Sequence, residues 1–183
     1  MSVKTGKRGR PSQLSAERIV ECAKAMQVKT GKIPSIRALS AELEVDPMAI
    51  YHYFRNKSAL LEAVCLSLIE AIHNPQGEDW RAEIVALSQS YLTLLSTHPG
   101  LLETLLSMTG TGPAQVFIER YERALRPLVL PQETLNQSRD LLVDYLHGYA
   151  LAMQGSQGAL TIELLDGPLS FWMRALEREA AEA

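Results

Sequence analysis

Between Ser35 and Lys57 the chain gathers Ser35, Arg37, Tyr51, His52, Tyr53 and Lys57 around a short apolar pattern. Hydroxyls, phenols, a guanidinium and an ammonium are donors for phosphate oxygens, and an imidazole beside small apolar side chains suits base edges and thymine methyls. The types fit recognition better than catalysis. The four histidines, His52, His73, His98 and His147, fall on separate predicted elements, and none forms H-E-x-x-H or another metal-ligand spacing. His147 stands three residues after Asp144, a spacing that a capped or exposed histidine explains more simply than a catalytic pair. The G-T-G-P run at 110–113 lacks the strand and lysine of a phosphate-cradling loop. No catalytic residue, metal or cofactor is expected.

The elements that must carry these groups are two short helices and a tight turn. Ser35 caps the first, and Ile36, Leu39, Ser40 and Leu43 recur on one helical face. Glu44, Val45 and Asp46 make the turn. Asp46 then caps a second helix with Pro47 in its first position, where a missing N–H is harmless. From Pro47 to Tyr53 there are barely two turns, with Ile50 and Phe54 buried. A helix-turn-helix lays such a second helix in the DNA major groove. Pro47, Met48, Ala49 and His52 are then the base readers, and Tyr51, Tyr53 and Lys57, helped by Ser35 and Arg37, the phosphate contacts.

The segment L-S-A-E-L-E-V-D-P-M-A-I-Y-H-Y-F-R-N-K-S-A-L-L resembles the DNA-binding module of the TetR (tetracycline repressor) family, with its Tyr-x-x-Phe element, a basic residue, Lys and a long connecting helix. Residues 16–72 fit that module. The family usually has Gly where Glu44 stands, and a non-Gly residue in a left-handed turn costs roughly 1 kcal/mol.

The formal charge of −3 hides an asymmetry. Residues 1–58 hold eleven Lys and Arg against five Asp and Glu, a local +6, whereas residues 59–183 hold seven against sixteen, or −9, with no lysine. A basic head on an acidic body is what phosphate binding by one end requires. Before the first predicted helix, Arg8 and Arg10 lie in a polar arm read either as a disordered terminus or as a minor-groove probe. Cys22 and Cys65, with no paired spacing and no secretory segment, point to a reducing cytoplasm. No run approaches the roughly 18 apolar residues that span a bilayer.

The rest reads as helix almost throughout: 16–29, 58–73, 80–97, 101–108, 113–128, 131–154 and about 167–180, with breaks at Asn74-Pro75-Gln76-Gly77 and at the other Gly and Pro clusters. An all-α chain follows, divided into an arm and helix-turn-helix domain over 1–74 and a helical body over 75–183. The resemblance implies that the body forms a homodimer through its last two long helices and encloses a pocket for a small-molecule effector. It also implies that the protein represses from a palindromic operator. Leu141, Leu142, Tyr145, Gly148, Tyr149 and Ala152, with Phe171, Trp172, Ala175 and Leu176, are dimer stripe or internal core; periodicity does not separate the two. Tyr91, His98, Leu105, Met108, Phe117, Tyr121, Tyr145, Tyr149, Met153 and Trp172 are pocket candidates, each also explicable as packing. The rival to an effector-released regulator is a constitutive DNA binder with no ligand.

Overall fold

In the computed structural model, which describes residues 14–108 and 110–182, the chain folds into α-helices with no strand among the described residues. They are α1 (Ala16–Thr30), α2 (Ile36–Glu42), α3 (Pro47–Tyr51), α4 (Lys57–Ile69), α5 (Trp80–Thr97), α6 (Leu101–Ser107), α7 (Gly112–Leu125), α8 (Gln132–Gly155) and α9 (Asp166–Glu182). Short 3-10 turns at Arg126–Leu128 and Ile162–Leu165 precede α8 and α9.

Side-chain caps fix the starts of the early helices. Ser15, Ser35, Asp46 and Asn56 accept N–H groups from Arg18, Ala38, Met48 and Ala59. Gly31 ends α1 in the left-handed conformation, its N–H bonded to the Gln27 carbonyl. Ile19, Leu39, Ile50 and Leu60 form the centre of the head. That core continues without a gap through Val64 and Leu68 of α4 into Ile84, Leu87 and Leu92 of α5 and onward to Leu142 and Leu146 of α8.

Two helices end earlier than their apolar patterns suggest. α4 stops at Ile69 rather than running to His73, because the next turn tightens: Ala71 and Ile72 donate to carbonyls three residues back. The N–H of His73 turns to the Ser90 hydroxyl, 2.8 Å away. α7 stops at Leu125 rather than Leu128, since Pro127 has no N–H to continue the ladder and its ring opposes the preceding turn.

The segment between α4 and α5 is pinned by one carboxylate. Glu83 meets the His73 ring with one oxygen and the N–H groups of Gln76 and Gly77 with the other. These bonds hold its carboxyl below the ordinary value, the His73 contact contributing most. Cys65 is fully buried, its thiol pushed up to about 11 by burial, and Cys22 is half-buried; both are free thiols. Among the described residues no helix is long and apolar enough to cross a membrane.

Candidate nucleic-acid interface and ligand cavity

The head presents α3 on a turn that Glu44 makes possible by adopting φ +55°. The Val45 N–H then reaches the Ser40 carbonyl at 3.0 Å, and Asp46 holds the Met48 N–H at 2.7 Å. Ile50 is the buried side of α3, so Met48, Tyr51 and His52 point outward, Met48 with 63% of its surface exposed. Pro47 and Ala49 are half-buried. Ser35, Arg37, Tyr53, Arg55 and Lys57 are exposed around this helix. Tyr53 differs from the sequence expectation in one respect: its hydroxyl donates to the Leu14 carbonyl at 2.7 Å, so that proton already ties the approach to α1 against the head. Arg8 and Arg10 lie outside the described residues.

The body holds a cavity of about 480 Å³ walled by α4, α5, α6, α7 and α8. Ile69, Leu105, Leu106, Met108, Pro113, Ala114, Phe117, Ile118 and Val143 make it mainly apolar. Tyr91 and Phe117 meet with ring centroids 5.1 Å apart. The Tyr91 hydroxyl lies 2.8 Å from His147 Nε2. Burial raises the Tyr91 phenol and lowers the His147 imidazole, which nearby Asp144 only partly opposes. A phenol and an imidazole thus share one hydrogen bond at the cavity wall, both favoured in their neutral forms. Arg139, Asp140 and Asp144 complete the lining.

Of the ten pocket candidates read from sequence, Tyr91, Leu105, Met108 and Phe117 line this cavity. The other six lie elsewhere. His98 closes α5 against the Leu94 carbonyl, and Tyr121 is fully buried, bonded to Ser138. Trp172 stacks edge-on to Tyr121. Tyr149 donates to the Thr161 carbonyl, and Tyr145 beside it is 40% exposed. Met153 lines a smaller hollow with Leu92 and Ser96. Sequence reasoning missed Arg139 and Asp140 and gave Asp144 and His147 no pocket role. Their signal was a polar stripe: Asp140, Asp144 and His147 stand at i, i+4 and i+7 of α8.

Cavity and head share structural members. Arg120, one turn beyond Phe117 on α7, reaches the carbonyls of Ile69, Glu70 and Ile72, where α4 has run out of its own donors. Arg123 adds a bond to Asn74 at 2.6 Å. On the opposite side, buried Gln27 of α1 donates to the Pro99 carbonyl at 2.8 Å. Gly100, at φ +77°, starts α6 so close to α1 that an added Cβ would stand 2.5 Å from the Gly31 carbonyl oxygen.

On the outer side of α8, Leu141, Tyr145, Gly148 and Ala152 are exposed at i, i+4, i+7 and i+11. Phe171 and Ala175 are exposed on α9, Phe171 at 71%. Leu142, Tyr149, Ala150 and Leu176 point into the core. The structure thus splits a stripe that periodicity left undivided.

Residues 35–64 match the family model described as bacterial regulatory proteins, tetR family. No curated protein gives a significant sequence match. Among solved structures, apo ActR from Streptomyces coelicolor superposes with a TM-score of 0.77 at 20% identity, covering 95% of this chain and 99% of that one. BioQ with its double-stranded DNA operator gives 0.73 at 21% identity, covering 90% and 99%. A TetR protein from Acinetobacter baumannii in complex with minocycline gives 0.67 at 22%, covering 93% and 96%. At these identities the likeness establishes the fold, a helix-turn-helix head on a helical body.

Proposed function

We propose that this chain, a member of the tetR family of bacterial regulatory proteins by the module at residues 35–64, is a cytoplasmic repressor. It binds a palindromic operator as a homodimer and leaves it when a small molecule fills the body cavity. The observation that carries this reading is the joining of cavity to head. Ile69 of α4 forms part of the cavity wall, and α7, which lines the same cavity through Phe117, holds the end of α4 through Arg120. A ligand wedged between these members favours a different tilt of α4. It therefore releases DNA to the extent that it binds that tilt more tightly than the DNA-competent one.

Pro47, Met48, Ala49 and His52 are assigned to base reading. Ser35, Arg37, Tyr51, Tyr53 and Lys57 are assigned to phosphate, with Tyr53 exchanging its Leu14 bond for one to a phosphate oxygen, and Arg8 and Arg10 to an adjacent minor groove. A helix as short as α3 touches too little DNA for tight specific binding alone, whereas two copies about one helical turn apart read a palindrome. The exposed apolar faces of α8 and α9 supply a surface for pairing. Selection from a pool of random duplexes tests the reading. Enrichment of inverted half-sites supports it, and enrichment of nothing above non-specific binding refutes it. The rival constitutive binder predicts that filling the cavity by mutation leaves DNA affinity unchanged.

A further inference from the structure

The charge at the cavity, weighed group by group, indicates what kind of molecule it takes; this step rests on the reading of the cavity as an effector site. Its lining holds one permanent cation, Arg139, and that guanidinium is paired with Asp140. Nε and Nη2 donate to Asp140 at 2.9 and 2.7 Å, and Nη1 donates to Asn136 at 3.0 Å. Asp144, one turn further along the same face of α8, has no hydrogen bond or ion pair among the described residues. His147, the next polar group on that face, supplies no positive charge, because burial keeps its ring neutral and Tyr91 occupies Nε2. Arg139 cancels Asp140, and Asp144 leaves the lining one negative charge in excess.

Behind that charge the walls are apolar and aromatic. The rings of Tyr91 and Phe117, tilted at 57° to each other, are part of that wall. A volume of about 480 Å³ falls among the roughly 300–1,000 Å³ of small-molecule sites. An anion entering this apolar setting would meet the carboxylate of Asp144, the one charge of the lining that no ion pair neutralises among the described residues, whereas a cation would be attracted to it. The acidic body, at −9 over residues 59–183, adds a long-range field of the same sign.

We infer that the effector is an amphiphilic cation, with an apolar ring-bearing body seated against Tyr91 and Phe117 and its positive centre at the Asp144 carboxylate. Tetraphenylphosphonium and tetraphenylborate have the same shape and opposite charge, so calorimetric titration of the full-length protein with each isolates the sign of the charge. The phosphonium should bind at least about tenfold more tightly. Asp144→Asn, a near-isosteric change at an exposed position, should erase that preference. Glu133→Gln, an exposed carboxylate three turns earlier on α8, should leave it intact and so excludes a mere effect of the acidic surface. Ala114→Trp, at a solvent-exposed wall position on α7, should block the phosphonium. Equal or tighter binding of the borate, or a preference that survives Asp144→Asn, overturns the inference. If borate binds and Ala114→Trp blocks it, the effector cavity stands and only its charge class falls. If neither ion binds, both the inference and the effector reading of this cavity fall.

Discussion

Lys57 is the first residue of α4, where a positive side chain gains nothing from the helix dipole, and its ammonium is exposed beside α3. Lys57→Ala should therefore fold normally. It should weaken specific and non-specific DNA binding alike and flatten the dependence of log K on log salt by about one unit. Fluorescence anisotropy across a salt series checks this; a loss confined to one sequence with an unchanged slope refutes the phosphate role. Glu44 makes the complementary case, a residue retained against local preference. At φ +55° its side chain is strained, and Glu44→Gly should raise stability in urea unfolding by about 0.5–1 kcal/mol, the relief being partly offset by the looser unfolded chain. This departure was legible only through the resemblance, because the family usually has Gly where Glu44 stands and a Glu announces no left-handed turn by itself. The commitment of Tyr53 to Leu14 was not, since that bond joins residues thirty-nine apart and nothing local announces it.

At the scale of elements, capping residues marked where helices begin far better than periodicity marked where they end. Ser15, Ser35 and Asp46 cap as their types dictate. The end of α4 depended on Arg120, fifty residues away, offering donors to carbonyls that a continuing helix would have satisfied itself. Arg120→Met keeps the apolar stem and removes those donors. It should lower stability by about 1–2 kcal/mol, given that the side chain is only partly buried, and should speed amide exchange over residues 70–73. Unchanged exchange there would refute the role of Arg120 at the end of α4. The loop that follows carries its own pH dependence. Because folding depresses the Glu83 carboxyl, its contribution is complete above the ordinary value near 4.5 and is lost as pH falls through the lower folded value. Glu83→Gln should be less stable than the parent at neutral pH, and that difference should shrink on acidification, as read by denaturant titrations over a pH series. Which apolar residues face a cavity rather than a neighbour was illegible, because the 3.6-residue period reports that a side chain turns inward and not what it meets. Hence Tyr121 and Tyr149 looked as promising as Tyr91.

For the molecule as a whole, the charge division between head and body was open to reading from composition alone, and the structure adds the mechanical connection across it. Pairing of two chains is the property on which operator recognition rests, and Gly148 offers a clean probe. A Cβ built there meets nothing within 4 Å, so Gly148→Arg leaves the single chain unstrained. It should run as a 20.3 kDa monomer in sedimentation, keep its helical circular dichroism and bind operator far more weakly. A parent chain that is itself monomeric while binding operator tightly would refute the dimer. The close approach of Gly100 to Gly31, with Gln27 hooked on Pro99, has a consequence for anyone who would re-engineer specificity. A chimera cut in the loop around Asn74 and fitted with a foreign reading head severs none of the chain that makes this contact on the body side, yet replaces all of it on the other. Donor heads whose backbone turns off the first helix in the left-handed conformation, as at Gly31, with an amide side chain one turn earlier, should seat best against this body. Promoter retargeting by head exchange is thus limited by the rear surface of the transplanted head, however well its front reads the new site.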